Sequence, residues 1–369
     1  MPYTILVGGY SNVITTLSFD PTTSPVTLKV IGTSPSGPRP SWIAPHPTDK
    51  SLIFASNEQV DGKVQLFKFK PDHITLDLIQ TAWSGGAAPC HLHVSEHEVF
   101  TANFSSGTVH AIPLSVSPPA LLAPRSQPIH FEFPGIGPKP NQEWSHPHQV
   151  FPDPSGKVLL VPDLGSDKIW RLARDEESES WKVKDTIEVT RGSGPRHVVF
   201  QGDDLYVINE LASTLTHHSY PAEGKVQEVK TLSGLKSSDQ LADNMLGEAL
   251  LLARASASFP IPLIYASNRN DPHPEGDTIA IFKPKDASSG FELIGEVRMG
   301  LHHIRAVALG GEEDRYLVIG GLTGGSNLPH GVRGGGIKVF ERVEGGRSLN
   351  EVAHLGEEHV EQPTAFIVL

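Results

Sequence analysis

The feature that most restricts how this 369-residue chain can fold is a short pattern that returns seven times along it. Its fullest copy is Gly194-Pro195-Arg196-His197-Val198-Val199-Phe200, a small residue and Pro, one variable residue, then an apolar run. Reduced copies read Pro40-Ser41-Trp42-Ile43, Pro89-Cys90-His91-Leu92, Pro147-His148-Gln149-Val150, Gly247-Glu248-Ala249-Leu250, Ile304-Arg305-Ala306-Val307 and Pro363-Thr364-Ala365-Phe366. From Ser41 to Thr364 the variable residues lie 49, 58, 48, 52, 57 and 59 positions apart. Self-similarity at a period of about 54 residues marks a stacked or radial repeat.

A second pattern runs in step with the first. Ile5–Tyr10 and Val13–Phe19 read as two β-branched runs joined by a tight turn, and the module returns at Leu52–Glu58 with Val64–Phe69 and at Val99–Phe104 with Thr108–Ile112. The last position but one of each first run forms a column: Gly9, Asn57, Asn103, Asp163, Asn209, Asn268 and Gly321. These residues tolerate left-handed backbone or bond their own turns, so the column reads as structural. Two more strands usually follow, such as Lys168–Leu172 and Trp181–Ile187. Four short antiparallel strands per repeat make a propeller blade, and the length holds seven. The expected fold is therefore all-β: one domain over residues 1–369, a seven-bladed β-propeller. The N-terminal hairpin lacks a preceding first strand and Pro363–Leu369 lacks a following hairpin, so the C-terminal strand should join the N-terminal blade and close the ring. The best helical window, Asp239–Ala255, overlaps the sixth first strand. Two segments interrupt the spacing: a Pro-rich loop at 113–145, read as a pocket wall, and an insertion at 254–263.

Composition narrows the function. A net charge of −12 with no basic tract argues against nucleic acid and anionic membranes as partners. The single cysteine, Cys90, leaves no intramolecular disulfide and fits a reducing compartment. The N-terminus has no signal-peptide form, and no apolar run nears the ~20 residues that cross a bilayer. A cytoplasmic monomer or homo-oligomer is expected.

In a propeller the first strand of each blade lines the central channel, and the antiparallel second strand returns to the same mouth. Two rings of side chains should meet there. One holds Ser41, Cys90, His148, Arg196, Glu248, Arg305 and Thr364; the other holds Tyr10, Glu58, Phe104, Leu164, Glu210, Arg269 and Leu322. Alternating Arg and Glu could form an ion-pair ring that merely fills a polar hole. The charges fall in successive blades on one side, however, opposite Ser41, Thr364, Tyr10 and Leu322, and that asymmetry suits a directional ligand. A histidine among arginines is also held toward its neutral, basic form. His91-x-His93 and His146-x-His148 each pair two imidazoles, but no further ligand falls at zinc-like spacing, so neither a metal nor a cofactor is expected. The stretch Gly331–Gly336, near His330 and Arg333, reads as a hairpin and not a phosphate loop. There is no Gly-x-Ser-x-Gly elbow, and Cys90 beside His91 reads as a small packed residue before a nucleophile.

The motifs Gly135-Ile136-Gly137-Pro138 leading to His146-Pro147-His148, then Val161–Lys168, Gly192–His197, Asn209-Glu210-Leu211 and Ser267-Asn268-Arg269, resemble in order those of the seven-bladed propeller lactonases. That family includes propeller-type 6-phosphogluconolactonases and fungal carboxy-cis,cis-muconate cyclases. The resemblance implies catalytic roles for His148, Arg196, Glu210 and Arg269, which the strand geometry also selects. Arg305, Glu248, His146, His91, His197 and Glu58 join them as candidate substrate-binding residues. The chain departs from the bacterial pattern at Asn141, where an Arg usually precedes the His-x-His, and at Ile304, where Pro usually precedes the Arg. The expected activity is cofactor-independent hydrolysis of a sugar or sugar-acid lactone, with a small anionic lactone or polycarboxylate as ligand. In this reading His148 or Glu210 takes water's proton, Arg196 and Arg269 hold the carbonyl oxygen or an anionic group, and Arg305 and Glu248 orient the substrate. Two alternatives stand beside it: a lactone-forming cyclase acting on an unsaturated polycarboxylate, and a non-catalytic ligand-binding propeller.

Overall fold

The pattern of turns and β-branched runs folds into seven antiparallel sheets. A computed structural model describes residues 2–70, 74–221, 225–233, 245–285, 290–323 and 334–369. Trp42–Pro45, Leu52–Asn57, Lys63–Lys70 and Thr75–Trp83 form one four-stranded meander. Pro89–Val94, Glu98–Asn103 and Thr108–Val116 form the next, whose outer edge is split between Pro119–Leu121 and Ile129–His130. Phe151–Pro152, Val158–Asp163, Lys168–Arg174 and Trp181–Glu188 make another, followed by Pro195–Gln201, Asp204–Asn209, Thr214–Ser219 and Gln227–Ser233. Two more sheets run from Leu246 to Arg298 and from Ile304 to Gly356. The last joins the two ends of the chain, in the order Pro363–Val368, Tyr3–Gly9, Val13–Asp20, Thr27–Pro35. Thr4 and Leu369 exchange backbone hydrogen bonds there, so the C-terminal strand completes the N-terminal blade as expected. The fold is a seven-bladed all-β propeller. The described residues contain no α-helix, and none of their elements is a helix long and apolar enough to cross a membrane.

The chain divides into two compact units: residues 7–16 with 31–196, and residues 1–6 with 17–30 and 197–369. Within each, apolar side chains of one sheet pack on those of the next. In the first unit Phe54, Leu66, Leu92, Val99 and Ile112 share one cluster, and Phe100, Val109, Val161, Trp170 and Leu172 another. In the second, Tyr206, Leu215, Ile264 and Phe282 cluster, as do Tyr265, Ile281, Ile304, Ile319 and Phe340.

The turn column is structural, through side-chain bonds and not through left-handed backbone: none of its seven residues has a positive φ. Asn57 donates to Ser36 O and Pro38 O at 2.8 and 2.9 Å, and Asn103 donates to Ser84 O at 3.1 Å. Each bond ties the end of a second strand to the loop that feeds the same blade's first strand. Gly321 does this by having no side chain, since a Cβ there would lie 2.6 Å from His302 O. Asp163 is the most heavily used member. One carboxylate oxygen accepts from the backbone N–H groups of His146, Gly165 and Ser166, and the other from Ser145 Oγ and Trp170 Nε1.

Two expectations need amendment. Pro147–Val150 does not open a regular strand: it forms a single bridge, Pro147 to Asp163, and the strand proper is only Phe151–Pro152. His148 N–H donates to Pro162 O at 2.9 Å, but Pro162 has no N–H to return, so the ladder cannot propagate. The 113–145 segment is not all loop, because it supplies the two short edge strands. The window Asp239–Ala255 gives a strand at Leu246–Ala253, the sixth first strand that the repeat placed there; its residues 239–244 lie outside the described residues. Residues 330–333 of the glycine-rich hairpin also lie outside them, although the flanking strands Tyr316–Gly321 and Gly336–Val343 do pair antiparallel. The 254–263 insertion packs Phe259 beneath the buried guanidinium of Arg342, 3.9 Å from the ring centre.

Because Asp163 satisfies five donors at once, its removal should be costly. Asp163→Ala is expected to destabilise the protein by about 3 kcal/mol or more in urea unfolding. A loss below about 1 kcal/mol, the net worth of one ordinary hydrogen bond, would show that the carboxylate does not organise this turn.

Candidate functional site

Three members of the variable column sit where the first strand of a blade leaves regular pairing. Pro89 pairs with Asn103 and His91 with Ala102, so Cys90 is an extra residue in its ladder. Arg305 is extra in the same way between Ile304 and Ala306, and the pairing also shifts between Gly247 and Leu250, around Glu248. A bulge of this kind re-aims a side chain away from the sheet's alternation.

In the first unit the structure brings His148 and Arg196 together. Both are buried, and Arg196 Nη1 bonds His148 Nε2. A guanidinium can only donate, so Nε2 is the acceptor and the ring is neutral with its proton on Nδ1. That Nδ1 lies 3.8 Å from Cys90 Sγ, which also approaches Ala102 O at 3.6 Å. Phe104 meets the His148 ring edge-to-face at 5.5 Å. The cysteine that the sequence suggested as packing is therefore a neighbour of the candidate base.

The other candidates in this unit have supporting contacts. His146 stacks on Phe104 at 4.1 Å, and its Nδ1 is 2.8 Å from Phe104 O. His91 lies 4.3 Å from the Trp42 ring and accepts from Val150 N–H at 3.4 Å. Sequence alone gave no sign of Trp42, which reads as the first apolar residue of a strand. Glu58 accepts from Tyr10 O–H at 3.5 Å.

In the second unit Glu210, Arg269, Glu248 and Arg305 form one chain of charges. Arg269 Nη2 donates to Glu210 Oε1 at 2.7 Å, its Nη1 is 2.7 Å from Glu248 Oε2, and Arg305 Nε is 3.5 Å from Glu248 Oε1. Glu248 is wholly buried, whereas the Arg305 side chain keeps 22% of its exposure. Two carboxylates and two guanidiniums balance, as charges withdrawn from water must. His197 is buried on the strand Pro195–Gln201. Among the described residues no three His, Cys, Asp or Glu side chains gather as metal ligands would.

The model of the seven-bladed β-propeller lactonase family matches residues 4–325. A candidate 6-phosphogluconolactonase of Arthroderma benhamiae is 29% identical over 82% of this chain and 76% of its own length. The 6-phosphogluconolactonase of Bacillus subtilis is 26% identical over 70% of each chain. A crystal structure of a candidate 6-phosphogluconolactonase from Bacteroides fragilis superposes with a TM-score of 0.80 at 26% identity, covering 100% of this chain and 98% of its own. The chain belongs to the seven-bladed β-propeller lactonase family.

Burial holds the His91 imidazole well below its ordinary value, with His93 and Arg196 adding repulsion, and burial brings His93 down to about 4. The unfolded chain binds protons at these rings more readily than the native state does. Their contribution to stability is therefore complete above the ordinary value near 6.5 and is lost as the pH falls below it; for His93 the loss runs down to about 4, by about 1.4 kcal/mol per pH unit. His93→Gln should remove about 1.4 kcal/mol per pH unit from the acid slope of stability in that window, measured by urea unfolding at several pH values. An unchanged slope would contradict this account of His93.

Proposed function

We propose that this protein hydrolyses a sugar or sugar-acid lactone of the gluconolactone type, its 6-phosphate included, without a cofactor. The observation that carries the reading is the buried His148–Arg196 pair in a chain of the lactonase family. Lactone hydrolysis needs a base for water and a counter-charge for the oxyanion that forms at the carbonyl. In the resting arrangement Arg196 occupies His148 Nε2. A substrate carbonyl draws the guanidinium toward its own oxygen and releases Nε2 to accept a proton from water. The water oxygen adds to the carbonyl carbon, Arg196 stabilises the resulting oxyanion, and the ring C–O bond breaks. The leaving oxygen takes the proton back from His148, giving the open hydroxy acid.

The family resemblance also brings Glu210 and Arg269 to the reaction. Arg269 is paired with both Glu210 and Glu248, so its expected part is to hold the Glu210 carboxylate in place. Arg305 and Glu248 support that arrangement. The names of the two 6-phosphogluconolactonase relatives support the choice of substrate.

A pH-stat assay with gluconolactone and its 6-phosphate tests the reading. Wild type should turn over at least one of them. His148→Ala should lower kcat by about 10²–10⁴-fold and Arg196→Ala by about 10²–10³-fold. Circular dichroism should show both variants folded. Undiminished turnover in both would remove the mechanism, and a loss in Glu210→Gln with none in His148→Ala would move the base to Glu210.

A further inference from the structure

We propose that the cavity between Pro134–Gly137 and Gly165–Lys168 is a subsite for the hydroxylated arm of the substrate, an inference that rests on the lactonase reading above. The cavity measures about 430 Å³, enough for a sugar-sized group, and Ser166, Asp167, Lys168, Glu188 and Arg191 bring polar side chains to it. Its turn is tied to the two segments that lead into His148 and Arg196. Gly165 packs so closely that a Cβ there would lie 1.8 Å from Trp144 O and 3.1 Å from His146 Cδ2. Asp167 accepts from the N–H groups of Gly192 and Gly194, at 2.6 and 2.8 Å, just ahead of Arg196.

The chemistry of the wall selects the ligand class. Lys168 Nζ is 3.1 Å from Glu188 Oε1, Asp167 is satisfied by backbone, and Arg191 donates to Ile136 O at 3.4 Å. Two cations and two carboxylates offset each other, so a bare anion gains no surplus positive charge. Hydroxyl groups donate and accept at once and match a wall that offers both. Ser166 supplies the second observation. It is 7% exposed, and its Oγ has no hydrogen-bond partner among the described residues. An unsatisfied buried hydroxyl lowers stability, so its presence points to a partner that arrives with the ligand.

The test compares glucono-δ-lactone with unsubstituted δ-valerolactone in wild type, Ser166→Ala and the exposed-site variant Arg191→Gln. Ser166→Ala should raise KM for glucono-δ-lactone about five- to ten-fold with kcat little changed, and leave δ-valerolactone kinetics as they were. Arg191→Gln should move in the same direction, and the melting temperature of Ser166→Ala should be equal or higher, which a purely structural serine would not give. An equal effect on both lactones, or none on either, overturns the subsite. If wild type hydrolyses neither lactone, the lactonase reading fails, and titration with gluconate then judges the subsite alone. Weaker gluconate binding by Ser166→Ala than by wild type supports it; equal binding or no binding overturns it.

Discussion

The bond that everything else leans on is the one between a buried turn residue at the end of a second strand and the loop that enters the same blade. Asn57, Asn103 and Asp163 each fasten such a loop from inside the sheet. A few residues further on, each loop delivers a member of the variable column: Ser41, Cys90 or His148. The amide or carboxylate thus fixes the backbone before the chemistry-bearing side chain is reached. Preorganisation of this kind lets a site be rigid although the residues that form it come from loops and bulges. Asp163 shows the cost and the return. It is fully buried, and its five donors compensate for the carboxylate's lost hydration while setting His146 and the bridge at Pro147.

Burial of charge follows the same logic in each unit. Arg196 is buried against a neutral imidazole, so one positive charge is carried where a doubly charged pair would be repelled. Arg269 is buried between two carboxylates, and Arg305 meets the second of them. Removing any one partner from such a network strands the others in a low-dielectric interior, which ordinarily costs more than the pair contributes. These clusters hold their geometry because the alternatives are expensive.

Much of this was legible in the residues. Seven Pro-x-apolar copies, seven turn residues and an N-terminal hairpin without its first strand were enough to place the blades and the closure. The strands end where the column said: Gly9, Asn57, Asn103, Asp163, Asn209 and Gly321 are terminal residues, and Asn268 is next to last. What the pattern could not carry was register. The extra residues at Cys90 and Arg305 depend on which partner each neighbour finds, and no local propensity announces that. The broken ladder at His148 depends on Pro162 being the group that its N–H meets, which no local propensity reveals. Pairing of charges was equally hidden, because composition offers arginines and glutamates without saying that Arg269 would hold two carboxylates. Ser166 entered only as one residue of the family-like stretch Val161–Lys168, and the structure alone shows that its buried hydroxyl lacks a partner among the described residues.

The proposed chemistry depends most directly on the state of one ring. Nitrogen-15 chemical shifts of histidine-labelled protein, with His148 assigned by its loss in His148→Gln, report which imidazole nitrogen carries a proton. The structure requires Nε2 to be the bare acceptor of Arg196 in the resting protein near neutral pH, with the proton on Nδ1. A proton on Nε2, or an imidazolium carrying both, would contradict the pairing and with it the base assigned to the reaction.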